Sequence, residues 1–182
     1  LSALVYAAHY PDQVAGMVLL DATSTEMFTR LRTYPVIYES YRRASALFPS
    51  LARLGVGRIV YRSGFDSLPA PSQREELAFW STARQARSAR DEWNQAPTLM
   101  RQARELKSLG ATPLIVVTAM REAQEGWLPL QNVLARLSSN SEHRVLPTST
   151  HSSLTANDGD SRASVQAIDD VVAAVRTGRS LR

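Results

Sequence analysis

The stretch Leu1–Asp21, LSALVYAAHYPDQVAGMVLLD, sets the fold class. Leu1, Leu4, Val5 and Ala8 recur at the i, i+3, i+4, i+7 spacing that lines one face of a helix. Tyr10-Pro11-Asp12 stops that helix, because proline cannot continue the backbone hydrogen-bond ladder. Met17–Leu20 (MVLL) is then a short unbroken apolar run ending in Asp21. A run of that kind, with no alternate polar positions, reads as a strand buried on both faces of a parallel sheet. Helix, proline turn and buried strand make half of a βαβ unit, so an α/β fold is expected.

From Ala22 to about Gly110 the character changes to helical periodicity rich in arginine, interrupted by Pro35, Pro49, Pro69, Pro71 and Pro97, with no convincing strand. In SLPAPSQREEL, Ser72 is expected as a helix N-cap with Glu75 at the capping-box position. Strand character returns at Pro113–Thr118 (PLIVVT), followed by the loop MREAQEG. Gly126-Trp127 opens a helix through about Leu137, with Leu130, Val133, Leu134 and Leu137 on one face. A short strand is expected around Arg144–Leu146, then the loop PTSTHSSL, then a last helix over about Ser161–Arg176. Val165, Ile168, Val172 and Val175 form its expected buried stripe, and Gly178 stands where a helix often ends. The expected organisation is a sheet-bearing core over 1–21 and 111–182, with 22–110 as an all-helical cap or lid between two strands.

Composition narrows the classes. The chain has 182 residues, 44% of them hydrophobic, enough for a real core. It contains no apolar run of about 18 residues or more and no basic region followed by an apolar one at its start. Any targeting or anchoring segment is expected upstream of Leu1, which leaves localisation and membrane association open. Cysteine is absent, which excludes disulfides and a thiol nucleophile from this segment. His9, His143 and His151 are the three histidines and share no metal-ligand spacing, so neither a metal nor a cofactor is expected. The net charge of +4 comes almost wholly from arginine, Lys107 being the single lysine. Arg84, Arg87 and Arg90 repeat at i, i+3, as do Arg101 and Arg104, but Asp91, Glu92 and Glu105 interleave with them. That pattern describes a solvated helix face, and the expected partner is a small-molecule substrate and no nucleic acid.

Four segments resemble the α/β-hydrolase superfamily. AAHYPDQVAGMVLLDA (7–22) looks like the helix after the nucleophile elbow with the strand that follows it. PLIVVTAMRE (113–122) is similar to the strand and loop that commonly deliver the acid, LSSNSEHRVLPTSTHSSL (137–154) to the last strand and histidine loop, and AIDDVVAAVR (167–176) to the closing helix. The resemblance covers nearly the whole chain except the helical insertion. It implies the C-terminal part of a parallel hydrolase sheet, hydrolysis of an ester, amide or similar bond, and the chain order Ser, then Asp or Glu, then His. No G-x-S-x-G occurs, and Ser2 is followed by Ala3-Leu4 without the glycine of the elbow, so the nucleophile and the oxyanion hole are expected upstream of Leu1.

The resemblance makes His151, in the loop between the last strand and the last helix, the expected base. For the acid two positions stay open. Glu122 lies in the loop after PLIVVT, where the superfamily usually has Asp, and the usual topology favours it. Asp21 ends the MVLL strand, a position some lipases use, and Glu125 is a weaker third option. His9 and His143 are expected to be structural. Trp80, Trp93, Phe79 and Tyr38 are candidates for a substrate pocket but are expected to be ordinary core. Two alternatives keep the fold: an Asp nucleophile, as in dehalogenases and epoxide hydrolases, and a non-catalytic binding protein. The segment taken alone is expected to expose the edge of its first strand and to aggregate.

Overall fold

A computed structural model describes residues 1–181. The chain is mixed α/β, with a parallel sheet of three strands among the described residues. It divides into two compact units, Leu1–Arg32 with Thr98–Arg182, and Thr33–Pro97. Of the helical stretch expected over 22–110, residues 22–32 and 98–110 therefore belong with the sheet.

In the first unit, α1 (Ser2–His9) and a 3-10 turn at Pro11–Gln13 lead into β1 (Met17–Leu20), followed by the short α2 (Met27–Arg30). After the second unit come β2 (Leu114–Ala119), α8 (Trp127–Ala135), β3 (Ser141–Leu146), α9 (Ser153–Ala156) and α10 (Asp158–Thr177). The strand order is β1-β2-β3, with Met17 opposite Leu114 and Leu114 opposite Ser141. All six residues of the central strand β2 are buried.

Because side chains alternate across a strand, β2 feeds two cores. Leu114 and Val116 meet Leu4, Ala7, Met17, Leu19 and Leu134 on one face. Ile115, Val117 and Ala119 meet Leu154, Ala167 and Val171 on the other. Each fully buried aliphatic side chain contributes roughly 1.5–3 kcal/mol relative to exposure. The unbroken run PLIVVT is thus explained by its position between two layers of helix.

The last helix rotates away from its expected orientation. Val165, Ile168, Val172 and Val175 are 39–55% exposed, while Ser164, Ala167, Val171 and Ala174 face the interior. The physical reason is the contact with the sheet, where Ala167 and Val171 pack with Ile115 and Val117 of β2. Gly16 leaves room for this helix, since a Cβ there would fall 2.5 Å from Val171 Cγ1 and 3.0 Å from Val175 Cγ2. Asn157 caps the helix by accepting from the Gly159 and Asp160 N–H groups, and Gly178 ends it at φ 66°. Arg144 on β3 bridges Glu142 at 2.8 Å and Asp170 of α10 at 2.6 Å, and it holds both carboxyls below their ordinary range.

The second unit contains α3 (Tyr34–Ser45), α4 (Phe48–Arg53), α5 (Val56–Val60), α6 (Ala70–Trp80) and most of α7 (Ala83–Ala103). Tyr38 is buried and stacks on Trp93 with ring centroids 5.6 Å apart, and Tyr41 lies 4.6 Å from Trp93. Of the four aromatics expected as core, Tyr38 is buried and Trp80 and Trp93 are half-buried, while Phe79 is exposed, as is Tyr41. Helix α6 begins at Ala70 with Pro69 at its N-cap, so Ser72 does not cap it and the expected capping box is absent. Proline in the first turn, where the N–H needs no helical partner, favours this earlier start over the Ser72 signal.

Candidate active site

At the carboxyl end of β1 the Asp21 N–H donates to Val117 O at 2.6 Å, extending the pairing one residue beyond the strand. The backbone then turns left-handed at Asp21, with φ 43°. Aspartate is among the few residues that adopt this conformation readily, since its short polar side chain bonds locally. The turn leaves the residue 6% exposed, and both carboxylate oxygens are used.

Oδ1 accepts from the indole Nε1–H of Trp127 at 2.7 Å and from the Ala119 N–H at 3.2 Å. Oδ2 accepts from Nδ1 of His151 at 3.0 Å. Three donors from β2, the start of α8 and the loop after β3 therefore converge on one carboxylate. Ala22, the next residue, is held by Gln131, whose Nε2 donates to its carbonyl at 2.8 Å from a fully buried position on α8.

The His151 loop is built from its own hydroxyls. Thr150 N–H donates to Ser153 Oγ at 2.9 Å, Ser153 N–H returns to Thr150 Oγ1 at 3.2 Å, and Ser153 Oγ donates to Asp160. Ser149 is buried, and its carbonyl accepts from the Arg121 N–H at 3.0 Å. The imidazole itself is open to solvent, its side chain 76% exposed. Its pKa is raised above the ordinary 6.5, chiefly by the hydrogen bond to Asp21, against a smaller opposing effect of burial. Nε2 has no hydrogen-bond partner among the described residues.

Glu122 lies elsewhere. It sits in the turn after β2 that the Ala123 N–H closes on Met120 O at 3.2 Å, with φ 70° and an exposed side chain. Among the described residues no hydrogen bond joins it, or the exposed Glu125, to His151. Topology favoured Glu122, whereas the hydrogen bonds bring Asp21 and His151 together. His143 is structural: Nδ1 donates to Asn132 Oδ1 at 2.9 Å and Nε2 accepts from the Thr118 hydroxyl at 2.7 Å, with its pKa lowered by burial. His9 bonds the Val5 carbonyl within its own helix.

Trp127 was legible only as a helix opener. Its one polar atom, the indole N–H, supplied a signal, since a tryptophan beside a sheet's carboxyl end needs an acceptor there. Chemically, a carboxylate on Nδ1 fixes the tautomer with Nε2 free as a base and stabilises the imidazolium formed when that base takes a proton. In comparisons with known proteins, no family model, no curated protein and no solved structure matches this chain.

Proposed function

We propose that the chain is the C-terminal portion of an α/β-hydrolase that cleaves an ester, amide or similar bond, with His151 as general base and acid and Asp21 as its orienting carboxylate. The observation that carries this reading is the 3.0 Å hydrogen bond between Asp21 Oδ2 and His151 Nδ1, formed across 130 residues of sequence at the carboxyl edge of the parallel sheet. Functional groups in open α/β sheets gather at that edge. A nucleophilic serine, supplied in this proposal by residues upstream of Leu1, would lose its proton to Nε2 as its oxygen attacks the carbonyl. The same proton then passes to the leaving group, and water repeats the cycle to release the acid. The helical unit over 33–97 is read as the cap, the part of such enzymes that shapes access to substrate.

The test uses the polypeptide extended upstream through the proposed elbow, with a fluorophosphonate probe and a p-nitrophenyl ester. Labelling and turnover that disappear in His151→Ala, with the far-UV spectrum unchanged, support the proposal. Turnover that survives His151→Ala sinks it, and an aspartate at the elbow moves the nucleophile to carboxylate chemistry.

A further inference from the structure

The second unit carries an uneven distribution of charge. Between Glu39 and Asp66 the chain holds no carboxylate, yet it contains Arg42, Arg43, Arg53, Arg58 and Arg62. Arg42 and Arg43 are paired with Glu39. Arg53, Arg58 and Arg62 are exposed, and among the described residues their side chains have no ion pair or hydrogen bond. Large aliphatic side chains alternate with them. Leu54 is 79% and Ile59 77% exposed, and Leu47 and Val60 are also largely in water.

The exposed residues lie on and beside two short helices, α4 and α5: Leu47 precedes α4 and Arg53 ends it, Leu54 and Gly55 link it to α5, which carries Arg58, Ile59 and Val60, and Arg62 follows; Gly55 sits at φ 80°, which glycine adopts without strain. A groove of about 120 Å³ runs between the two, with Leu51 and Val60 in its lining and Trp80 along one side. Large aliphatic side chains held in water among unpaired cations of one sign, within sixteen residues of chain, are the composition of an interfacial surface. The choice of side chains then selects the partner. Hot spots of protein interfaces favour Trp, Tyr and Arg and under-use Leu and Val, whereas here the protruding groups are Leu, Ile and Val. Three unpaired guanidinium groups on flexible stems suit a polyanionic plane, because each can reach outward to a headgroup while its stem and the neighbouring leucine stay in the acyl boundary. No helix of the described residues is long and apolar enough to cross a membrane, so the contact would lie in the interface plane.

We infer that the α4–α5 surface of the 33–97 unit docks on an anionic phospholipid membrane, with Leu54 and Ile59 inserting and Arg53, Arg58 and Arg62 contacting phosphate. The inference is independent of the Asp21–His151 reading. It is tested by flotation of the full chain with phosphatidylcholine vesicles that contain or lack phosphatidylglycerol, in which aggregated protein stays at the bottom of the gradient. Binding is expected to the anionic vesicles only, to weaken with added salt, and to fall about tenfold or more in Leu54→Asp/Ile59→Asp and in Arg53→Gln/Arg58→Gln/Arg62→Gln. Both variants alter exposed side chains, and circular dichroism is the check that they fold. Equal binding to neutral vesicles, or anionic binding that neither variant weakens, overturns the inference. So does a concentration-dependent dimer that Leu54→Asp/Ile59→Asp disperses while no vesicle binding is seen, which would assign the surface to a second copy of the chain.

Discussion

The turns that follow β1 and β2 invite direct comparison. Each leaves a parallel strand of the same sheet, carries a carboxylate, and holds it at positive φ, 43° at Asp21 and 70° at Glu122. Asp21 is buried with three donors on its oxygens, and Glu122 is exposed in a turn closed by backbone alone. Similar backbone geometry therefore does not make a similar site. Trp127 and His151 come from other parts of the chain, and their meeting at Asp21 distinguishes the two turns.

The comparison breaks first on catalysis. In the upstream-extended polypeptide, Asp21→Asn is expected to lower ester turnover by about 10⁴-fold, because the imidazole loses its tautomer and its counter-charge. Glu122→Gln should change turnover by less than about twofold, as exposed substitutions away from such networks usually do. Comparable losses in both would mean that the acid role is shared.

Trp127→Phe sharpens the account at smaller scale. It removes one donor from Oδ1 and leaves the ring packing largely in place. Turnover is expected to drop by about tenfold, in keeping with the loss of a hydrogen bond to a charged group. The effect should fall on kcat, with KM little changed, because Trp127 acts through Asp21.

Stability separates the turns with opposite signs. Glu122→Gly relieves a left-handed conformation and should raise stability by about 0.5–1 kcal/mol in chemical denaturation. Asp21→Gly relieves the same conformation but strands the Trp127 and Ala119 donors, for an expected loss of about 1–3 kcal/mol. A gain at both positions would mean that the Asp21 hydrogen bonds contribute little.

The sheet was legible because its physics is local. MVLL and PLIVVT are continuous apolar runs too short for a buried helix and, in PLIVVT, rich in β-branched residues, which suits a strand between two layers of helix. The orientation of α10 was not legible, since Val165, Ile168, Val172 and Val175 make as good a helical stripe as Ser164, Ala167, Val171 and Ala174. Packing against Ile115 and Val117, far away in sequence, selects the second set. His151 was marked by its loop between a strand and a helix. The partner carboxylate was not, because Asp21 and Glu122 both sit just past strand ends, and nothing in either local sequence says which side chain turns inward. Trp127 gave its tertiary role away only through one N–H that required an acceptor.

A weaker effect appears in pH dependence. The raised pKa of His151 means that its pairing with Asp21 stabilises the fold fully below the ordinary 6.5, and that this increment is lost as pH rises through the folded value. The thermal midpoint of the wild type relative to His151→Gln should therefore be higher at about pH 5 than at about pH 9, by a small margin because the ring is largely solvated.

The most direct measurement is the NMR titration of the His151 imidazole in the wild type, Asp21→Asn and Glu122→Gln. The wild type is expected to titrate above the ordinary 6.5, Asp21→Asn to titrate lower than the wild type, and Glu122→Gln to match the wild type. A pKa that falls in Glu122→Gln and holds in Asp21→Asn would contradict the pairing of Asp21 with His151.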